Sequence, residues 1–269
     1  MTWDAYLSPK DTTWYDLGNG WNVSYPVGWE PGSDGFRGHV FATPDNSTIV
    51  LGIKGTSAGF MGGGGPTARK DKLNDNLLWS CSLAEDSLFY SVGTNLYNNL
   101  TYMYPHSNIW ITGHSLGGGL ASLLGITFGV PAVAFESPGD KAAAEHLHLP
   151  MPPSTHHVTH VYHNADPVPL GACTGPLSSC YLAGFALETH CHLGRSIVYD
   201  TVGKLGWSVN IQNHQLSVII NDVLTLPWDV PNAIPEDDCV ECHSWEFGDY
   251  NKTMVDNRPL AWESSLDHR

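Results

Sequence analysis

Ile109-Trp110-Ile111-Thr112-Gly113-His114-Ser115-Leu116-Gly117-Gly118-Gly119-Leu120-Ala121 decides how this chain of 269 residues is read. An apolar, β-branched run ends at Gly113. Leu116, Leu120, Leu123 and Leu124 then recur at helical spacing. The stretch predicts strand, sharp turn and helix, with Ser115 at the turn. Gly113 and Gly117 flank that turn, so strand and helix can approach without a Cβ clash.

The pattern Gly-x-Ser-x-Gly occurs twice. Gly55-Thr56-Ser57-Ala58-Gly59 follows a strand expected over 48–54, but Phe60, Met61, Gly62 to Gly65 and Pro66 come next. Four glycines and a proline do not begin a helix. Ser115 is therefore the candidate nucleophile and Ser57 is not. Gly113, His114 and Gly117 complete a nucleophile elbow, the mark of an α/β-hydrolase fold.

Working outward, strands are expected over 36–43, 48–54, 130–135 and 157–162. Helices are expected over 83–102, 140–146 and 215–226. Residues 56–80 read as a Gly-rich loop followed by Lys70-Asp71-Lys72-Leu73-Asn74-Asp75-Asn76. Alternation of strands and helices predicts α/β architecture: a mainly parallel central sheet with flanking helices and disulfide-bonded loops. The length suits one domain over 1–269, with irregular extensions at 1–35 and 230–269.

A formal net charge of −15 argues against nucleic acid as a partner and against electrostatic adhesion to anionic membranes at neutral pH. Fourteen histidines would cancel nearly all of that charge if each were protonated in an acidic compartment. No apolar run is long enough to span a membrane. The first residues lack a signal peptide's charge and hydropathy pattern. Yet sequons at Asn22, Asn46, Asn99 and Asn251 and an even set of six cysteines point to the secretory pathway, with a targeting segment expected upstream.

A serine nucleophile needs a base, and the base needs an orienting carboxylate, in the chain order Ser, Asp, His. Asp166 follows the strand 157–162 and precedes Pro167, at the carboxyl edge where sheet enzymes gather their sites. Asp140 is the runner-up, more simply read as a helix N-cap. His214 precedes a helical pattern and is the candidate base. His190 and His192 flank Cys191 and are expected to be tied up locally. The backbone N–H of Leu116 and a donor from Thr56 are the expected oxyanion hole, with the Thr56 hydroxyl holding its loop. Phe60 and Met61, with glycine hinges at 62–65, are read as a lid within 57–80.

Six cysteines allow fifteen pairings. We expect Cys173–Cys180, a local Cys239–Cys242 bridge, and Cys81–Cys191. Cys239-Val240-Glu241-Cys242-His243 also matches a haem-attachment pattern and, with His190, Cys191 and His192, a zinc set. The acidic tail offers no apolar haem pocket, so no metal and no cofactor is expected.

The elbow resembles that of the fungal class 3 lipases. Further stretches resemble the fungal autophagy-related vacuolar lipases that disintegrate autophagic bodies: Ile53-Lys54-Gly55-Thr56-Ser57, Gly63-Gly64-Gly65-Pro66-Thr67 with Lys70-Asp71-Lys72 and Asn74-Asp75-Asn76-Leu77-Leu78, Val161 to Pro167, Cys191-His192-Leu193-Gly194 and Trp245-Glu246-Phe247-Gly248. The resemblance implies a Ser115–Asp166–His214 triad, Thr56 in the oxyanion hole, and hydrolysis of membrane phospholipids and acylglycerols in an acidic lumen. Its partner is a lipid membrane or lipid droplet surface. Its location is the vacuolar lumen or, for a relative lacking the family's N-terminal anchor, outside the cell. Two alternatives stand beside it: a secreted esterase on soluble or plant-wall esters, and a catalytically silent membrane-binding module. Oligomeric state, head-group preference and positional preference are not legible.

Overall fold

Among the described residues, eight strands form one sheet in chain order: β1 (Asn22–Val27), β2 (Gly38–Ala42), β3 (Thr48–Ile53), β4 (Asn108–His114), β5 (Ala132–Phe135), β6 (Val158–His163), β7 (Arg195–Tyr199) and β8 (Ile234–Pro235). The computed structural model describes residues 1–8, 11–29, 35–56, 68–79, 88–175 and 177–240. β1 to β3 run antiparallel, β3 to β7 are parallel neighbours, and β8 closes the far edge antiparallel to β7.

β4 lies in the middle because its residues suit a strand covered on both faces. From Ile111 to His114 every position is buried. The helix after it, α3 (Leu116–Phe128), is buried without interruption from Leu116 to Ile126. Such a helix, apolar all round, belongs in a core rather than on a surface. It packs on β4 and β5 beneath α2 (Leu88–Met103). Leu51, Ile111, Leu120, Leu124 and Leu100 form the core on this face. On the opposite face Val161, Tyr199, Leu216, Ile219 and Val223 form a second cluster, against which Trp3 and Tyr6 pack.

Four expectations are corrected. Residues 1–35 are not merely irregular: β1 lies within them, Asp4 and Ala5 are fully buried, and Asp4 accepts a hydrogen bond from the Tyr15 N–H at 2.8 Å. Residues 56–80 are not all loop, because α1 (Ala68–Trp79) occupies their second half. The helix expected over 215–226 is an α turn, Leu216–Val218, running into a wider π turn, Ile219–Leu224. Cys191 is bridged to Cys239, not to Cys81, so Cys239 is not bridged to Cys242 either. Cys173–Cys180 is present. Cys81 and Cys242 lie outside the described residues.

Candidate active site

Ser115 sits between β4 and α3 at φ 57° and ψ −129°, a conformation that costs a non-glycine residue about 1–3 kcal/mol. The glycines around it make the turn feasible. A Cβ on Gly113 would run into the Gly117 carbonyl, and one on Gly117 would run into the Ile53 carbonyl of β3. The Ser115 hydroxyl lies 2.8 Å from His214 Nε2, and His214 Nδ1 lies 2.7 Å from Asp166 Oδ2. With Nδ1 protonated toward Asp166, Nε2 is free to accept the serine proton. Asp166 is fully buried and also accepts the Val168 N–H at 2.9 Å. Burial pushes its carboxyl up, but the charge and hydrogen bond of His214 and the Val168 N–H outweigh that and hold it below the ordinary value.

His114 supports His214 from behind. Its Nε2–H donates to the His214 carbonyl at 2.9 Å, and its Nδ1 accepts the Tyr6 hydroxyl at 2.7 Å. Desolvation, with the nearby His214, pulls His114 down to about 3, so it stays neutral and keeps this one tautomer. Tyr6 thus ties the N-terminal segment to the loop carrying His214.

The 54–56 loop at the end of β3 meets the elbow closely: a Cβ on Gly55 would lie 3.2 Å from Ser115 Cβ. Thr56 donates its hydroxyl to Asp75 Oδ2 at 2.7 Å. That leaves its backbone N–H, rather than its hydroxyl, for the site. Leu116 is the first residue of α3, and the first N–H groups of a helix have no partner within it. An apolar cavity of about 420 Å³, lined by Trp3, Tyr6, Leu7, Ile211, Leu216 and Ser115 itself, opens beside the hydroxyl. Phe60 and Met61, expected as a lid, lie outside the described residues.

Asp140 precedes α4 (Lys141–His146) but makes no cap bond. Its carboxylate accepts from Ser122 Oγ and from the Leu193 N–H at 2.7 Å, and faces His160 Nε2 at 3.4 Å. It is buried away from His214 in a separate polar cluster. His192 is not tied up locally: it reaches Glu236, far along the chain, at 3.3 Å, and its Nε2 reaches the Ser137 carbonyl at 3.1 Å. His190, Cys191 and Cys239 lie close together, but the disulfide consumes both thiols, so neither sulfur offers a thiolate to a metal. Sequence reasoning gave no role to Tyr6, to Asp75, which lies in a stretch that carries the family resemblance, or to Glu136, one of the acids downstream of Ser115. All three act across long sequence distances, and no short motif announces them.

The sheet, the strained turn and the Ser–His–Asp row together define the α/β-hydrolase class. The phospholipase-like family, described by its Tle-like phospholipase domain, matches residues 16–151. The chain belongs to this phospholipase-like family and is homologous to fungal ATG15 lipases. The ATG15 lipase of Cryptococcus neoformans var. neoformans serotype D (strain B-3501A) is 41% identical over 345 residues, covering 93% of this chain and 66% of that protein. That of Mycosarcoma maydis is 48% identical, covering 81% of this chain and 49% of that protein. The chain thus spans between about half and two thirds of these curated relatives. Among solved structures, a triacylglycerol lipase from Penicillium expansum is similar at 15% identity and TM-score 0.43, covering 67% of this chain and 70% of that one.

Proposed function

We propose that this chain hydrolyses carboxylic ester bonds of membrane phospholipids and acylglycerols, with Ser115 as nucleophile, His214 as base and Asp166 as its orienting carboxylate. The observation that carries this reading is the Asp166–His214–Ser115 row opening on an apolar cavity. The apolar wall accepts an acyl chain, while the polar row sits at its end. The names of the relatives support lipid as substrate.

His214 Nε2 takes the Ser115 proton as Oγ attacks the ester carbonyl. The tetrahedral oxyanion is held by the N–H groups of Leu116 and Thr56. Collapse breaks the ester C–O bond, and the imidazolium returns its proton to the departing alcohol. Water then attacks the acyl-serine, giving its proton to His214; the acyl–Oγ bond breaks, the imidazolium returns that proton to Ser115 Oγ, and the fatty acid leaves. Asp166 stays ionised and steadies the imidazolium throughout. The setting we propose is an acidic vacuolar lumen, with a lid including Phe60 and Met61 regulating access.

The test is release of fatty acid from phosphatidylcholine vesicles and from a triacylglycerol emulsion. Wild type is expected to release it from both, and Ser115→Ala to lose about 10³-fold or more. Equal release by the two proteins would overturn the reading. Turnover confined to soluble short-chain esters would overturn the lipid part alone.

A further inference from the structure

Glu136 has no step in this mechanism, yet its setting is costly. It follows β5 with φ 45°, in the left-handed region that non-glycine residues seldom occupy. Its side chain is fully buried, and neither carboxyl oxygen has a hydrogen-bond partner at ordinary length among the described residues. An orphaned buried carboxylate is expensive, so the group needs a counter-ion or a proton.

Among the described residues the neighbours supply no counter-ion. From β6, His163 places Nε2 3.7 Å from Glu136 Oε1. That Nε2–H is directed at the Asn213 carbonyl at 3.2 Å, while Nδ1 accepts from the Ala165 N–H at 3.3 Å and meets the Thr201 hydroxyl at 3.0 Å. Burial lowers His163, which disfavours its charged form. Tyr162, also on β6, is held un-ionised by burial. The loop after β6 brings the Asp166 carboxylate, whose negative charge adds to burial in raising Glu136 well above its ordinary value. His214 stands on the other side of Asp166.

We propose that Glu136 is a positioning residue working as a neutral carboxylic acid: its proton faces Asp166 and adds a third donor to those of His214 and Val168. That donor fixes the Asp166 carboxylate and tempers how strongly it holds protonated His214. The inference rests on the reading of His214 as base.

Glu136→Gln keeps a neutral donor of the same shape, whereas Glu136→Leu keeps the bulk and donates nothing. The readout is the pH dependence, between acid and neutral pH, of kcat/KM on a soluble ester and of Ser115 labelling by a serine-directed phosphonate. Wild type and Glu136→Gln are expected to superimpose. In Glu136→Leu the acid limb is expected to move up by about half a pH unit, because Asp166 with fewer donors holds the protonated base harder. A downward shift in both variants would mean an ionised Glu136, and no shift in either would mean a merely structural one; each overturns the proposal. Should Glu136→Leu fail to fold, the infrared C=O band of a buried protonated acid decides. It is expected in wild type at pH 6 and lost in Glu136→Gln; a wild-type spectrum without it overturns the proposal. A wild type that cannot be labelled at Ser115 counts against the proposed function instead, leaving the infrared result to stand by itself.

Discussion

At the residue scale the site depends on a few atoms that cannot move. Gly117 is one: with the Ile53 carbonyl in the way, Gly117→Ala must push α3 off β3 and is expected to cost about 1–3 kcal/mol. Urea unfolding of the variant beside wild type measures it. Tyr6 is another. Removing its hydroxyl in Tyr6→Phe strands His114 Nδ1 and loosens the ring that holds the His214 carbonyl. A lost hydrogen bond of about 1 kcal/mol, expressed wholly in placement of the base, corresponds to roughly a five-fold fall in kcat with KM little changed. Steady-state kinetics on a soluble ester check it, and an unchanged kcat would mean that His214 is held without Tyr6.

At the scale of elements, α1 shows why part of the site escapes sequence reading. Its buried side chains include Asp71, Asn74 and Asp75, so the ordinary sign of a packed helix, an apolar stripe, is inverted here. A polar face aimed at the 54–56 loop looks, in one dimension, like a loop. The nucleophile elbow was legible because every requirement for it is local: an apolar strand, two glycines and a helical leucine pattern within a few residues. Asp166 and His214 were legible through chain order and strand ends. Tyr6, Asp75 and Glu136 were not, because each meets its partner through the sheet's crossovers. Likewise Cys191 pairs across 48 residues with Cys239, while the legible Cys173–Cys180 bridge spans 7. The role of α1 is testable. Asp75→Ala removes the acceptor for the Thr56 hydroxyl and is expected to lower kcat about ten-fold or more, by letting an oxyanion donor drift. Asp75→Asn keeps an acceptor and is expected to stay near wild type; equal losses in the two variants would place the effect elsewhere.

At the scale of the whole molecule, the edge of the sheet is closed by chemistry suited to acid. Glu236, just after β8, faces His192 Nδ1 at 3.3 Å beside the Cys191–Cys239 bridge. Burial alone would lower His192, but the hydrogen bond and charge of Glu236, with Asp140 and the Ser137 carbonyl, raise it. Burial likewise pushes Glu236 up, and the His192 contacts outweigh it and bring it down to about 2. The raised histidine contributes its full stability below its ordinary value, and loses it as pH rises through the raised one. The lowered glutamate contributes fully above its ordinary value, and loses it only as pH falls toward about 2. Both contributions are therefore whole near pH 5 to 6, and that of the histidine fades toward alkaline pH. Glu236→Gln is expected to lower Tm more at pH 5.5 than at pH 9; the reverse order would contradict the pairing. Burial also revises the expected acid neutralisation of the chain. His39 and His163 are held below their ordinary values by desolvation, and His114, pulled down to about 3, stays uncharged near pH 5, so the molecule is more negative there than its histidine count suggests.

All three scales converge on the Ser115 hydroxyl beside the His214 imidazole. The most direct measurement is intact mass after treatment with a serine-directed phosphonate, followed by peptide mapping. One adduct per chain on Ser115 is expected, formed far more slowly in His214→Asn and absent in Ser115→Ala. An adduct on another serine, or equal labelling of wild type and Ser115→Ala, would contradict the account.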